Sequence, residues 1–399
     1  MADSLFRKTG RRVIHRIDRS IQQAVRDGLS WTYGSSTMQR DHLLAKPFTR
    51  LEEIHSLSTE ISHGTETVMC GIETNSRLPI TVGVIGIWET GQRNTLPFFQ
   101  HILFGREPFQ QEPTTHFPLW NLRRRASALV EQVDLLVVEA NHLMMWTPDR
   151  GDWARGPSDL RMVFDYLPGE SWESVEQRMK GMRRKIKKVK NCCYSYRTSH
   201  SDEDFSHFYH RYYVPMVECR FGEFGDINHE EGIRKVFQDA GELIFIQDRQ
   251  GCAISGVLEY LKHGVLYSLL AGVRDGDRDL VQQGALVAMY YYSLKHGFDM
   301  GCHRHDAGVC LPYCSDGIFQ HKRLWGYQPI PNAWRPHSQL VWTLNQAPSA
   351  LAWMRANPFI PRYATWGGKR LSEVYANLQP DGQVCGQPIE AKLACPEGD

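Results

Sequence analysis

The sequence predicts an α/β (α+β) protein built from layers of sheet and helix. In both halves of the chain, segments rich in β-branched residues alternate with amphipathic ones, which is typical of stacked layers of sheet and helix. The 399 residues are enough for two or three domains of ordinary size. With 42% hydrophobic and 23% charged residues, the chain can bury a large core without disulfides or metals.

Composition also limits the functional classes. The formal net charge is +1, so a nucleic-acid or membrane partner would have to be recognised by local charge clusters. The ten cysteines are scattered, no segment has the apolar core of a signal peptide, and no run of 18 apolar residues is present. We therefore expect a cytoplasmic protein with reduced thiols and no membrane span.

In the first half, hydrophobic periodicity predicts five segments in order. They are a basic amphipathic helix at 13–28, a strand at 77–88, a helix at 118–132, a buried strand at 133–141 and a Pro/Gly/Asp connector at 147–159.

The second half begins with a strand and two helices. We predict a strand at 160–168, one continuous helix at 169–191 and an aromatic helix at 202–216 that ends near Pro215. Residues 241–273 contain three β-rich runs separated by turn residues, which predicts three antiparallel strands.

The remaining segments follow the same logic. We predict a helix at 277–297 with Asp277 or Asp279 as N-cap and Gly297 as C-cap, then a strand from 298. A late strand at 339–344 and short helices with a polar tail at 345–399 complete the chain. The expected domains are 1–155, 156–345 and 346–399.

The segment SDGIFQHKRLWG (315–326) combines a predicted turn, two adjacent cations and an aromatic-glycine stop. It suggests a turn that presents Lys322 and Arg323 to an anionic ligand, although two exposed loop cations would give the same pattern. Arg323 could hold a phosphate through two parallel hydrogen bonds.

Three segments together resemble the Fem-like branch of the GNAT acyltransferase superfamily: LAGVRD (270–275), AMYYYSLKHGFDMG (288–301) and SDGIFQHKRLWG (315–326). That branch includes nonribosomal peptidyltransferases that use aminoacyl-tRNA. The order of DYLPGESWESVEQRMKGMRRKIKKVK (165–190) and FSHFYHRYYVPMVECRFG (205–222) is also similar. The resemblance covers roughly 160–345. It implies two tandem GNAT-like domains, each a mixed, largely antiparallel sheet flanked by helices, and the first domain would be degenerate.

The resemblance implies catalytic roles for four residues. Lys322 would lie against the carbonyl and phosphate of the acyl donor, where a fixed cation stabilises the charge that develops on the carbonyl oxygen. Glu259 would relay a proton from the attacking amine, although a surface position is the simpler explanation of a single carboxylate in a strand. His305 or Asp306 could accept that proton.

The same resemblance implies that Arg274, Gln283 and Gly284 hold the phosphates of the donor. Acyl-CoA enzymes of the superfamily place Gln or Arg three residues before this glycine, and Gly or Ala two residues after it. Here Val281 and Leu286 occupy those positions, so the motif is broken and a donor other than acyl-CoA is favoured. Alternatively, Gly284 permits only close packing of helix and sheet.

A dense run of cations without acids occupies 178–190. Such a patch can neutralise phosphates, and Tyr194 and Tyr196 nearby could stack on unpaired bases. A solvated helix face is the competing explanation. The predicted RNA-binding residues are Arg183, Arg184, Lys185, Lys187, Lys188 and Lys190.

Acceptor binding is predicted at Tyr213, Arg220, Tyr313 and Asp316. The Cys/His-rich stretch 302–314 fits no standard zinc spacing, so no metal site is predicted. One of its cysteines could instead serve as an acyl-accepting nucleophile.

The favoured function is an N-acyltransferase that forms an amide by moving an aminoacyl or acyl group from aminoacyl-tRNA to an amine on a small molecule or peptide. No cofactor is expected, because the donor is a co-substrate. The alternatives are an acyl-CoA-dependent N-acyltransferase of the same fold and a non-catalytic RNA-binding module.

Overall fold

The structure, a computed structural model, describes residues 64–86, 95–105, 107–142, 144–222, 227–333, 337–360, 365–366 and 369–370. The predicted helix at 13–28 and most of the tail lie outside these residues. The predicted class is confirmed, since the described part of the chain forms two mixed sheets flanked by helices.

The first sheet has nine strands within the described ranges, in the order β16-β15-β6-β14-β5-β2-β1-β3, with β4 also paired to β1. Its strands are β1 (Gly64–Ile72), β2 (Pro79–Gly86), β3 (Phe109–Gln111), β4 (Thr115–Phe117), β5 (Leu135–Asn141), β6 (Asp152–Pro157), β14 (His337–Thr343), β15 (Thr365–Trp366) and β16 (Lys369–Arg370). Helices α1 (Thr95–Phe104), α2 (Leu122–Leu129) and α11 (Pro348–Ala356) flank it.

Most sequence predictions for this sheet are confirmed, with one exception. The strands at 77–88 and 133–141 and the helix at 118–132 appear as β2, β5 and α2. The predicted connector at 147–159 is wrong, because it contains β6. The side chains of Trp153 and Ala154 in β6 are buried in the core. This apolar centre is short, and the Gly, Asp and Pro around it give the stronger signal of a loop in the sequence.

Strand β14 joins the first sheet although it follows the whole second sheet in sequence. It pairs antiparallel with β5 on one side and β6 on the other. The expected boundaries group this strand with residues 156–345. Where the chain leaves and re-enters the sheet, the Ser158 amide donates to the His337 carbonyl at 3.0 Å.

The second sheet runs in the order β13-β7-β12-β11-β10-β9-β8. Its strands are β7 (Leu160–Asp165), β8 (Ser195–Ser199), β9 (Gly241–Gln247), β10 (Ala253–Lys262), β11 (Val265–Val273), β12 (Arg304–Cys310) and β13 (Gln328–Pro331). The three strands predicted in 241–273 are confirmed as the antiparallel β9, β10 and β11.

Strands β11 and β12 run parallel but pair only at their first residues. The register joins Val265 to Arg304, Leu266 to His305 and Tyr267 to Asp306, and then stops. Strand β11 continues to Val273, whereas β12 bulges after Asp306 and follows β7 to Cys310. The two strands therefore separate between 268–273 and 307–310, a region we call the strand gap.

The helices of this half depart from the predictions at their ends. The helix predicted at 169–191 is divided into α3 (Trp172–Arg178) and α4 (Arg183–Asn191) by a 3₁₀ turn. At that turn Gly181 lies against Leu324, where an added Cβ would come within 2.8 Å of the leucine side chain.

The aromatic helix continues beyond its predicted end. Helix α5 (Asp202–Phe208) passes through a π-helical turn (Tyr209–Tyr213) into α6 (Val214–Phe221). The prediction of a stop near Pro215 is wrong because Pro215 lies in the first turn of α6, where its missing N–H costs little. Helix α7 (Glu230–Ala240) then leads into β9.

The helix predicted at 277–297 is two helices, α8 (Arg278–Gln283) and α9 (Ala285–Asp299), separated by Gly284 at φ 109°. The Asp277 N-cap is confirmed, since its carboxylate accepts from the Asp279 and Leu280 amides. Gly297 is not the C-cap; it lies against the Tyr166 hydroxyl inside α9, and the next strand starts at Arg304.

The segment 315–326 is largely helical, which corrects the prediction of a turn. Asp316 caps α10 (Gly317–Leu324) by accepting from the Ile318 and Phe319 amides. In the described part of the chain, no helix has the length and apolar content needed to cross a membrane.

Candidate functional site

A buried group of polar side chains lies between β10, β11, β12 and α9. We call it the polar cluster and define it as Glu259, Ser268, Ser293, His305 and Tyr327. Glu259 is fully buried, so the surface position considered for it is wrong. Its Oε1 accepts from Ser268 Oγ at 2.6 Å and from Ser293 Oγ at 2.5 Å.

Strand register brings these residues together. Glu259 and Ser268 are partners across β10 and β11, and Leu266 on β11 pairs with His305 on β12. Side chains two residues apart on a strand share a face, so Leu266 and Ser268 point toward the same layer. Helix α9 packs on that layer and supplies Ser293.

His305 links the two ends of the polar cluster. It is 1% exposed, with Nε2 2.7 Å from Ser293 Oγ and 3.2 Å from Glu259 Oε1. Its Nδ1 lies 2.9 Å from the Tyr327 hydroxyl. Glu259 Oε2 has no hydrogen-bond partner among the described residues.

The polar cluster holds Glu259 as a carboxylate. Burial acts to raise the pKa of Glu259, but the hydrogen bond and charge of His305 and the two serine hydroxyls outweigh it and lower the pKa below its ordinary value of 4.5. Burial raises the pKa of Tyr327 well above 10.0, so its hydroxyl remains protonated. The cluster therefore combines a buried anion with several mobile hydroxyl protons.

Asp306 points to the opposite face of the sheet from its neighbour His305. Its carboxylate accepts from Arg161 Nε at 2.6 Å and from the Gly308 amide at 2.8 Å. The Arg161 guanidinium also lies over the Tyr267 ring at 5.6 Å, and Tyr260 stacks on Tyr267 at 4.8 Å. The two residues predicted as alternative proton acceptors are thus separated by the sheet.

Lys322 is buried in α10 and donates from Nζ to the Val309 carbonyl at 2.9 Å. Val309 belongs to the part of β12 that borders the strand gap. The alternative of an exposed loop cation is wrong for Lys322, which is 5% exposed. Arg323 is half-buried.

Several cations surround His321 of α10. Burial lowers the pKa of His321 to about 4, and the charges of Lys185, Arg220 and Lys322 act in the same direction. Trp325 Nε1 donates to His321 Nε2 at 3.3 Å. Helices α4, α6 and α10 thus bring positive charge toward one neutral imidazole.

The predicted acceptor residues do not converge on the polar cluster. Tyr313 is buried in the core of the first sheet and donates to Gln339 Oε1 at 2.8 Å, while Asp316 caps α10. The buried Tyr213 hydroxyl accepts from the Asn228 amide at 3.0 Å, and Arg220 is exposed in the last turn of α6.

The predicted phosphate residues lie near the α8–α9 junction. Gln283 is exposed at the end of α8, and Gly284 adopts the left-handed conformation that joins the two helices. Arg274 is half-buried and donates to the Ala253 carbonyl at 3.1 Å.

All six predicted RNA-binding cations are exposed on α4, and the other face of this helix buries Ile186 and Val189. Lys190 pairs with Glu176, and Lys188 donates to the Gln282 carbonyl at 3.2 Å. In the part of the chain that the structure describes, the other four form no ion pair with a carboxylate: Arg183, Arg184, Lys185 and Lys187.

Sequence reasoning missed Ser268, Ser293 and Tyr327. A serine within a tyrosine-rich helix and another within a strand carry no motif, and their roles emerge only from register and packing. Tyr327 follows the 315–326 segment directly, but nothing in the sequence indicates that it reaches His305. No cluster of three or more His, Cys, Asp or Glu side chains is placed to hold a metal among the described residues.

No protein-family profile and no curated protein matches the chain. Among solved structures, L-PGS from Bacillus licheniformis aligns with 10% identity over 72% of this chain and 88% of that chain, with a TM-score of 0.33. FemX aligns with 12% identity over 71% and 85%, with a TM-score of 0.34. A tandem GNAT protein from the clavulanic acid biosynthesis pathway aligns with 11% identity over 70% and 82%, with a TM-score of 0.27. Likeness at this level does not extend to activity, substrate or site residues.

Proposed function

We propose that the protein is an N-acyltransferase that forms an amide by moving an aminoacyl group from aminoacyl-tRNA to an amine. The observation that carries the proposal is the strand gap, which begins beside a buried carboxylate and is bordered by the carbonyl that Lys322 holds. A gap between parallel strands leaves two backbone edges that do not pair with each other, and an extended acyl donor could lie between them.

The chemistry of the transfer matches these groups. When an amine attacks an ester carbonyl, a proton must leave the nitrogen and negative charge develops on the carbonyl oxygen. Glu259 and His305 can take up the proton, and general-base catalysis of this kind contributes roughly 10²–10⁴-fold in rate. Lys322, whose Nζ contacts the Val309 carbonyl of β12, is assigned to the developing charge.

The junction before α9 favours a donor other than acyl-CoA. A diphosphate bound there would need free amide groups, yet the Gly284 amide donates to the Leu280 carbonyl. At the start of α8, the amides of Asp279 and Leu280 donate to Asp277, and the Asp277 and Asp279 carboxylates would repel a diphosphate.

Helix α4 supports tRNA as the carrier of the acyl group. Its exposed cations lie beside the α8–α9 junction, because Lys188 reaches the Gln282 carbonyl. A row of unpaired cations on one helix face binds the phosphate backbone of a nucleic acid through the release of counterions.

The test compares two acyl donors, with hydroxylamine as the acceptor and the purified full-length chain as the enzyme. Total tRNA charged with ¹⁴C-labelled amino acids is incubated with hydroxylamine, a small amine-type nucleophile, and hydroxamate formation is measured. We expect the protein to accelerate hydroxamate formation from aminoacyl-tRNA and RNase to abolish it. Transfer from acetyl-CoA that is insensitive to RNase would instead establish the acyl-CoA-dependent alternative.

Charge reversal on α4 tests whether tRNA binds to this helix or responds only to the overall charge of the protein. Lys187→Glu should weaken tRNA binding and lower the slope of log Kd against log salt by about 1, as expected for a lost phosphate contact. Lys262→Glu is the matched control, because it reverses an exposed lysine at the β10–β11 turn, away from α4. Equal effects of the two variants would rule out α4 as the RNA surface.

Lys322→Met distinguishes an enzyme from a non-catalytic RNA-binding module. The variant retains the buried aliphatic stem but removes the cation. Transfer should fall by about 10²-fold or more while tRNA binding is unchanged. Unchanged hydroxamate formation would remove Lys322 from the catalytic assignment.

A further inference from the structure

Ser268 occupies a special position in the second sheet. It is the first residue of β11 after the last pair with β12, Tyr267 with Asp306. It is therefore the residue at which the strand gap opens. Unlike Glu259, Ser293, His305 and Tyr327, which are buried, Ser268 is only half-buried. All five residues of the polar cluster are described. Among them, Ser268 alone combines solvent access with contact to Glu259.

The opposite side of the gap carries no side chain at this point. Gly308 of β12 has φ 78°, and a Cβ added there would be 3.5 Å from the Ser268 carbonyl oxygen. The gap is therefore narrow where it opens, and no side chain of Gly308 fills it.

Hydrogen-bond roles within the polar cluster follow from the carboxylate. Ionised Glu259 can only accept, so both serine hydroxyls donate to its Oε1. Ser293 Oγ then accepts from His305 Nε2–H, and His305 Nδ1 lies within hydrogen-bond distance of the Tyr327 hydroxyl. Ser268 Oγ donates to Glu259 from the side of the gap and also lies 3.3 Å from His305 Nε2.

We propose that Ser268 is a catalytic residue that conducts the proton of the attacking amine from the strand gap to Glu259. This inference rests on the proposed function and names the group that the acceptor amine touches. Glu259 is fully buried, whereas Ser268 is half-buried at the opening of the strand gap and bonds to Glu259 Oε1 at 2.6 Å.

The step balances as follows. The amine nitrogen forms a bond to the ester carbonyl carbon, and its N–H proton passes to Ser268 Oγ as the original hydroxyl proton of Ser268 passes to Glu259 Oε1. When the bond between the carbonyl carbon and the ribose oxygen breaks, the proton returns through Ser268 to that oxygen. Glu259 ends the cycle as a carboxylate, and the tRNA leaves with a free hydroxyl.

The test uses the hydroxylamine assay with the full-length chain and three serine variants. Ser268→Ala should lower kcat by about 10²-fold, the typical contribution of a general acid–base group, with the KM for aminoacyl-tRNA unchanged. Ser268→Thr retains a hydroxyl and should recover most of the rate. Ser255→Ala is the control for removing a serine from the same sheet, because Ser255 is buried on β10 and bonds to the Ala285 carbonyl outside the polar cluster.

A pH profile separates proton conduction from a structural role. In the Ser268→Ala variant the remaining rate should rise with pH more steeply than in the wild type, since hydroxide or water must then take the proton. A wild-type rate in Ser268→Ala at every pH would overturn the inference while leaving the proposed function intact. A wild-type protein that accelerates transfer from neither donor would overturn both.

Discussion

Glu242 and His296 form a half-buried acid–base pair that is suited to stabilising the fold. Glu242 lies on β9, opposite Glu259 of β10. His296 Nε2 is 2.8 Å from Glu242 Oε2, and the side chains are 12% and 18% exposed. Burial acts to lower the pKa of His296, but the hydrogen bond to Glu242 and its charge raise it above 6.5. The same hydrogen bond lowers the pKa of Glu242 below 4.5, although burial opposes it.

The sign of each shift defines a pH window. The raised pKa of His296 means that its contribution is complete below pH 6.5 and is lost as pH rises through the folded-state value. The lowered pKa of Glu242 means that its contribution is complete above pH 4.5 and is lost as pH falls through the folded-state value. The pair should therefore stabilise most between pH 4.5 and 6.5.

His296→Gln should reduce the free energy of unfolding by about 1–2 kcal/mol within that window, because a hydrogen bond between charged groups is lost. The difference should shrink at higher and lower pH. Urea denaturation at several pH values measures it. His210→Gln is the control, since His210 forms a more exposed pair with Glu230 and should change little. A difference independent of pH would contradict the assigned ion pair.

At the scale of single residues, the sequence indicates which residues belong to the candidate site better than it indicates their hydrogen-bond partners. The resemblance indicates Glu259 and His305, and the structure places them within one hydrogen-bonded cluster. It does not indicate Ser268 and Ser293, because a hydroxyl has no periodicity and becomes informative only when register and packing bring it to a carboxylate. The sequence offers Asp306 and His305 as alternatives, and strand alternation places the two on opposite faces.

At the scale of elements, the π-helical turn Tyr209–Tyr213 is tied to β11 through a glycine. A Cβ at Gly272 would lie 2.6 Å from the Tyr213 amide nitrogen and would overlap the carbonyl of Tyr212. The backbone of the turn therefore rests directly on the strand. The close approach of helix to sheet at this point requires glycine.

Gly272→Ala should destabilise the protein by about 3 kcal/mol or more, because neither backbone can move without disturbing the sheet. Gly232→Ala in α7 is the matched control: nothing lies within 4 Å of the added Cβ, and helix propensity predicts a gain of about 0.5–1 kcal/mol. Opposite signs in thermal denaturation would support this packing. A tolerated Gly272→Ala would show that the turn can shift away from β11.

Element boundaries show where local signals suffice. The three strands of 241–273 were predictable because turn residues separate them, and the Asp277 N-cap was visible as a carboxylate before a helical run. The ends of α6 and α9 were not predictable, since proline and glycine usually break helices. Here Pro215 is accommodated by its position in the first turn of α6, and Gly297 by its packing against Tyr166. Strand β6 was missed because its apolar centre is only a few residues long.

At the scale of the whole molecule, the first sheet is built from residues that precede the second sheet in sequence and from residues that follow it. Strand β14 lies between β5 and β6, so β6 reaches β5 and the strands beyond it through a strand about 180 residues later in sequence. Sequence alone could not reveal this insertion, because a short apolar strand gives no sign of its partner.

A fragment of residues 1–158 should therefore lack cooperative unfolding, since β6 loses its neighbour and the buried faces of β5 are exposed. Residues 160–333 contain all seven strands of the second sheet and should unfold cooperatively. Circular dichroism during urea titration measures both. A cooperative transition in the 1–158 fragment would contradict the requirement for β14.

The hydrogen bond between the Ser158 amide and the His337 carbonyl has a mechanical consequence. The chain leaves the first sheet after β6 and returns to it at β14, and these two points are neighbours. Residues 159–336 therefore form an insertion whose two ends are held together by the first sheet. A pulling force applied between residues 64 and 360 would load the β5–β14–β6 ladder first. Residues 159–336 would bear no tension until that ladder tore, and stretching would then release them in a separate, later step.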